Sequence, residues 1–226
     1  MRYRLTNNPI LLSYQQKILR LFFAADFGKT FFLTGGTALA AFYFGHRESK
    51  DFDFFSLKAF EAEALNQVIK EIAGKMKAQV SIKITGETYH EIYLENKQER
   101  WIQRIDIVQD QPVHFGTIGI VDGIRVDSLE NIGSNKILAI YGRFEPKDYI
   151  DLYWIIKQTN LSFEALYDLA KKKDRGLFEF YWANVLSPLE KLDTLPQMRK
   201  AISLRTLKKF YLALQKKMLL EVKPED

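Results

Sequence analysis

Two aspartates separated by one residue, Asp51 and Asp53, are the side chains whose spacing points most directly to chemistry. On a strand, residues two apart share a face, so this pair projects together while Phe52 and Phe54 turn into a core. Carboxylates held side by side repel, and a divalent cation relieves the repulsion. A polar strand face would carry the same residues, so the pair alone leaves both readings open. Upstream, Phe31-Phe32-Leu33 reads as a buried strand running into Thr34-Gly35-Gly36-Thr37 and then a helix. Bare backbone N–H groups at a positive helix start, with the hydroxyls of Thr34 and Thr37, can hold the β- and γ-phosphates of a nucleotide beside that metal. A glycine pair also serves plain tight connections. The order strand, Gly-Gly-Thr, helix, Asp-x-Asp is more specific than either part.

A two-metal site, with ions about 3.5–4 Å apart clamping the attacking and leaving oxygens, wants a third acid. Asp106 is the candidate, within Arg104-Ile105-Asp106-Ile107-Val108. A carboxylate in an apolar strand is costly unless it binds metal or finds a partner, and Arg104 is the partner at hand.

These residues need elements to hold them. Apolar positions at helical spacing between Pro9 and Phe27 (Leu12, Ile18, Leu19, Phe22, Phe23) predict an N-terminal helix. Thr37 to Phe44 reads as a helix ended by Gly45, Asp51 to Phe55 as a strand, and Ser56 to Ala73 as a helix closed by Gly74. Ser81–Ile84, Thr88–Leu94 and Arg100–Val108 predict a meander with a hairpin at 95–98, followed by two short strands. Asp127-Ser128-Leu129-Glu130 resembles a capping box, and the remainder is helical: 129–143, 146–158, 163–172, 178–186 and 203–219. The expected organisation is an α/β domain over residues 1–127 and an all-helical domain over 128–226.

Composition sets the outer limits. With 226 residues, 47% hydrophobic and 27% charged, the chain suits folded domains. Cysteine is absent and the three histidines are scattered, so disulfides, thiolate nucleophiles and cysteine-bound zinc are excluded. A metal site here must be built from carboxylates, which selects Mg²⁺ or Mn²⁺. The start Met1-Arg2-Tyr3-Arg4 offers no secretory apolar region, and no apolar stretch approaches the ~20 residues that span a bilayer. The expected location is the cytoplasm. The net charge of +5, with Lys171-Lys172-Lys173-Asp174-Arg175, Lys208-Lys209 and Lys216-Lys217, suits RNA phosphates or simply a solvated surface. Trp154, Trp182 and Tyr181 lie among apolar neighbours and read as core.

Thr34-Gly35-Gly36-Thr37-Ala38-Leu39-Ala40 followed by Gly45-His46-Arg47-Glu48-Ser49-Lys50-Asp51-Phe52-Asp53-Phe54 resembles the first motif of the AbiEii/AbiGii toxin family, within the DNA polymerase β-like nucleotidyltransferases. The resemblance implies a mixed-sheet nucleotidyltransferase domain followed by a helical one, with Gly35, Gly36 and Thr37 as the phosphate turn. Asp106 matches the family's third carboxylate, which makes Asp51, Asp53 and Asp106 the implied metal ligands. Lys136-Ile137-Leu138-Ala139, Arg143 and Lys147-Asp148-Tyr149-Ile150-Asp151-Leu152 look like the family's downstream Lys, Arg and Asp-x-x-Asp segment. Lys136 and Arg143 would face a nucleotide's phosphates as a second wall, oriented by Asp148 and Asp151; a surface ion-pair network is the other reading. Lys147 stands where the family has Arg, which removes a bidentate contact. Arg47 reads as a phosphate or substrate contact and His46 as structural.

The expected activity is metal-dependent transfer of an NMP from an NTP to an acceptor hydroxyl, on tRNA, other RNA or protein. Asp51, Asp53, Asp106, Lys136 and Asp151 would be the catalytic set. The resemblance further implies the toxin of a toxin–antitoxin or phage-defence system, with a cognate antitoxin. The alternatives are an NTP–Mg²⁺-binding module without turnover and phosphoryl transfer at the same site.

Overall fold

The structure, a computed structural model, describes residues 1–177, 189 and 192–221. Its contacts divide the chain into two compact units, Met1–Ser128 and Leu129–Asp226.

Unit 1 is built on a seven-stranded mixed sheet. Its strands are β1 (Phe31–Thr34), β2 (Phe52–Ser56), β3 (Gln79–Thr85), β4 (Tyr89–Asn96), β5 (Trp101–Gln109), β6 (Gly119–Val121) and β7 (Ile124–Val126), in the order β3-β4-β5-β2-β1-β7-β6. The predicted meander is β3-β4-β5, and β2 enters the sheet parallel to β5 and antiparallel to β1. The sheet's helices are α1 (Ser13–Ala24), α2 (Gly35–Ala38, continued as a π-helix over Leu39–Phe44) and α3 (Ala62–Met76). Period-two alternation sorts β2 as read from sequence: Phe52 and Phe54 are fully buried and Asp53 is half-buried on the opposite face. Phe54 stacks on Phe22 of α1 at 4.1 Å between ring centroids, and Phe22 meets Phe31 of β1 edge-on at 5.7 Å. The aromatic core thus grips β1 and β2 from behind and fixes the face that carries the acids.

Several boundaries moved. Leu12, expected on the buried stripe of α1, is 57% exposed and precedes the helix. The helix expected from Thr37 begins at Gly35, so both glycines lie in its first turn, and Gly45 ends it with φ +59. α3 starts at Ala62 rather than Ser56 and runs past Gly74, because Lys77 adopts the left-handed conformation (φ 50) that closes it. Asp127, read as opening a capping box, lies two residues before the helix that starts at Leu129. It accepts from Thr34 Oγ1, the Ser128 N–H and His114 Nε2, wholly buried.

Unit 2 contains α4 (Leu129–Gly142), α5 (Pro146–Gln158), α6 (Phe163–Lys173) and α7 (Leu204–Glu221). The helix expected over 178–186, with Tyr181 and Trp182, lies outside the described residues. α4 is buried nearly all round, and Gly133 lets α6 approach, since a Cβ there would stand 2.7 Å from Leu166. Tyr211 of α7 is fully buried; it packs edge-on against Tyr149 and donates to the Tyr149 carbonyl at 2.6 Å. Among the described residues no helix is long and apolar enough to cross a membrane.

Candidate active site

The glycine turn earns its composition from what sits on it. Gly35 has φ +68, and a Cβ there would lie 2.3 Å from Oδ2 of Asp53. Thr34 and Asp53 are Cα partners across β1 and β2, so the antiparallel register delivers the Asp53 carboxylate onto the turn. At Gly36 a Cβ would lie 2.1 Å from Nη2 of Arg47 and 3.1 Å from the Ser49 hydroxyl. Two bare Cα positions therefore receive an acid and a guanidinium that side chains at 35 and 36 would expel. Arg47 is buried, with Nη1 donating to the Glu48 carbonyl at 2.8 Å. His46 is buried too, its ring edge-on to Phe44.

The hydroxyls expected as phosphate donors bind the protein itself. Thr37 Oγ1 donates to the Asp51 carbonyl at 2.5 Å and lies 2.9 Å from Ser49 Oγ, which is left to donate to it, pinning the loop that leads into β2. Thr34 donates to Asp127. The same loop is held from below by two glutamines that sequence reading passed over. Gln15 of α1 and Gln103 of β5 both donate to the Lys50 carbonyl, at 3.1 and 2.6 Å, and Gln15 donates to Gln103 Oε1 at 3.0 Å. Both amides are buried, so the residue preceding Asp51 is fixed by the core rather than by solvent.

The parallel pairing of β2 with β5 makes Asp53 and Asp106 Cα partners. The antiparallel pairing of β5 with β4 makes Asp106 and Glu91 partners in turn. One row across the sheet thus reads Thr34, Asp53, Asp106, Glu91. Asp106 receives both arms of Arg104, Nε to Oδ1 at 3.1 Å and Nη2 to Oδ2 at 3.0 Å, and the Tyr89 hydroxyl at 3.2 Å. Arg104 Nη2 also reaches Glu91 Oε2 at 2.8 Å. The partner foreseen for Asp106 is therefore present, and Glu91 joins it. Partial burial pushes the Asp106 carboxyl above its ordinary range, against the opposing pull of Arg104. Burial would lower Arg104, but its bonds to Asp106 and Tyr89 outweigh that and raise it. Burial likewise pushes the Tyr89 phenol up to about 12. We read the pair as ionised at neutral pH: a guanidinium keeps its proton, and its fork matches a carboxylate.

A divalent cation of the Mg²⁺ type asks for hard oxygen donors, and Asp51, Asp53 and Asp106 supply them from one edge of the turn and from adjacent strands. The carboxylate of Asp53 lying on Gly35 would suit a cation beside the glycine turn. Among the described residues no three acidic, histidine or cysteine side chains already converge on one point, and Asp106 faces the Arg104 fork.

Unit 2 gathers its four expected residues into one cluster. Lys136 Nζ lies 2.7 Å from Asp148 Oδ1 and 2.7 Å from Asp151 Oδ2, and Arg143 Nε lies 3.0 Å from Asp148 Oδ2. Both aspartates are fully buried and Lys136 nearly so, while Arg143 is half exposed. The network is interior, not the surface one that sequence also allowed. Of the basic run, Lys173 donates to Asn131 and Asn135, and Lys171 lies over the Tyr167 ring.

Comparison with known proteins places the chain in a family. Residues 17–225 match the family described as nucleotidyl transferase AbiEii toxin, type IV TA system. An uncharacterized protein of Aquifex aeolicus is 28% identical over 159 residues, covering 65% of this chain and 68% of its own. A candidate nucleotidyltransferase of Helicobacter pylori superposes with a TM-score of 0.59 at 18% identity, over 93% of this chain and 95% of that one. JHP933, also of Helicobacter pylori, gives 0.56 at 17% identity over 92% and 91%. Those two structures share the fold, a mixed α/β sheet followed by helices.

Proposed function

The chain belongs to the AbiEii nucleotidyl transferase toxin family, and we propose that it transfers an NMP unit from an NTP to an acceptor hydroxyl, releasing pyrophosphate. The observation that carries this reading is the Asp53 carboxylate seated on Gly35 and paired through the sheet with Asp106. Asp51, Asp53 and Asp106 are the residues we assign to Mg²⁺ or Mn²⁺, which when bound would neutralise the triphosphate and lower the proton cost at the acceptor hydroxyl. Gly35 and Gly36 leave the first-turn N–H groups approachable by phosphate oxygens. Thr37 acts one step back, holding the Asp51 carbonyl and hence the loop. Arg47, packed against Gly36, adds positive charge beside the turn. Lys136 and Arg143, held by Asp148 and Asp151, are assigned to the nucleotide's phosphates on the resemblance of their segment. Such a reaction depends chiefly on positioning and charge neutralisation.

The acceptor class we favour is RNA, tRNA included, with a cognate antitoxin as the protein partner that the family's type IV description supplies. The test is label transfer from α- and γ-labelled NTPs to total RNA and to the protein itself, with Mg²⁺ and with Asp53→Ala in parallel. Transfer of α-label, lost by about 10²–10³-fold or more in the variant, is the expected result. Full activity in Asp53→Ala would sink the site assignment. Movement of γ-label alone would make the enzyme a phosphotransferase, and nucleotide binding without transfer would favour the module without turnover.

A further inference from the structure

We propose that Arg104 is the resident counter-ion of the acid row, and that a divalent cation binds by taking Asp106 from Arg104 while Glu91 keeps the guanidinium. The inference rests on the metal site proposed above and concerns how that site is occupied. In an antiparallel pair, like charges directly opposite destabilise the sheet, and the β4–β5 register sets Glu91 opposite Asp106. Arg104, two residues before Asp106 and on the same face, answers both acids at once. Its two arms occupy the forward lone pairs of both Asp106 oxygens, which are the positions a cation also wants. A cation can take the two-oxygen position on Asp106 only by freeing at least one arm. The Nη2 bond to Glu91 at 2.8 Å gives the displaced guanidinium a partner already in place. Arg104 is also 35% exposed, so its movement needs no repacking of the core.

Mn²⁺ binding to the full chain without nucleotide, followed by electron paramagnetic resonance of the free ion, reads the exchange directly. Arg104→Lys keeps the charge and loses the fork, and is expected to tighten Mn²⁺ binding by roughly two- to fivefold, the range of a partly exposed ion pair. Unchanged or weaker binding in Arg104→Lys would overturn the exchange. Glu91→Gln removes the waiting partner and is expected to weaken binding by a similar factor, an effect that shrinks in the Arg104→Lys background. An equal effect in both backgrounds would mean that Glu91 acts only through its charge, and would also overturn it. Asp53→Ala separates the two readings. If that variant binds Mn²⁺ as the parent does, the metal site itself is misassigned; if it loses Mn²⁺ while Arg104→Lys is unchanged, only the exchange falls.

Discussion

Both units hold carboxylates against basic side chains, yet the two clusters behave as opposites. In unit 2, Lys136 reaches Asp148 and Asp151 with both acids wholly out of solvent, and Arg143 reaches Asp148 from its half-exposed place just after α4. In unit 1 the acids form a row along a sheet face, and Arg104 answers Asp106 and Glu91 while standing partly in water. The energetic consequence differs because desolvation differs. A buried pair is costly to assemble and still costlier to break, since removing one member strands the other. A cluster whose acids are largely buried but whose cation stands 35% exposed costs less to break, and its cation can change partners. The first arrangement suits a fixed scaffold for the bases assigned to phosphate, the second an ion site that must load and unload.

Breaking this contrast begins with Lys136→Met. It should cost about 3–5 kcal/mol in urea unfolding of unit 2, because Asp148 and Asp151 stay buried with one cation fewer. Arg104→Met should cost less, about 1–2 kcal/mol in the same experiment, because Glu91 and Asp106 are left facing each other at 15% and 14% exposure but near the solvent that reaches Arg104. Equal losses for the two variants would erase the distinction drawn here.

Gly35→Ala sharpens the unit 1 side. A Cβ placed 2.3 Å from Asp53 Oδ2, on a residue with φ +68, must push the carboxylate off the turn. Label transfer should fall about 10²-fold, as expected for displacement of a reacting group by about an ångström. Circular dichroism should remain native, since the aromatic core under β1 and β2 is untouched. Native activity in this variant would mean that Asp53 does not work from its seat on the turn.

The sequence carried the parts of this site whose positions follow from short-range rules. Alternation put Asp53 opposite Phe52 and Phe54, the glycine pair marked the turn, and β3, β4 and β5 were visible as a meander. Arg104 was visible as the partner that Asp106 would take in place of a metal. What stayed hidden depends on register and on distant contacts. Glu91 enters the row only once β4 is aligned with β5, and nothing near residue 91 announces that alignment. Gln15 and Gln103 meet across 88 residues, and Asp127 answers Thr34 across 93, a contact that its local likeness to a capping box does not announce. The end of α3 was misplaced because Lys77, not a glycine, took the left-handed turn, while Gly74 sits where a Cβ would meet nothing.

Those hidden glutamines give a smaller test. Gln103→Leu removes one of the two amides on the Lys50 carbonyl and leaves Gln15 Nε2 with one acceptor fewer, in the buried strip behind Asp51. A loss of about 1–3 kcal/mol in unfolding is expected. Mn²⁺ affinity should drop with it, because the clamp sets where Asp51 begins. A stability loss with unchanged Mn²⁺ affinity would confine the glutamines to the core and detach them from the acid row.

The smallest effect belongs to a third kind of pair, open to water at both ends. Glu164 accepts from Lys217, and this hydrogen bond, with some opposition from burial, holds the Glu164 carboxyl below its ordinary range. A carboxyl depressed in the folded state contributes stability above its unfolded pKa of about 4.3 and loses it as pH falls through the folded value. With side chains 55% and 44% exposed, solvent screening leaves no more than about 0.5 kcal/mol at neutral pH. Glu164→Gln should therefore unfold almost as the parent does at pH 7, and the small difference should close as the pH falls below the carboxylate range. Added salt should shrink it further, whereas the Lys136 cluster, shielded from ions, should keep its contribution. If salt weakened the two pairs alike, burial would not be what separates the fixed cluster from the exchangeable ones.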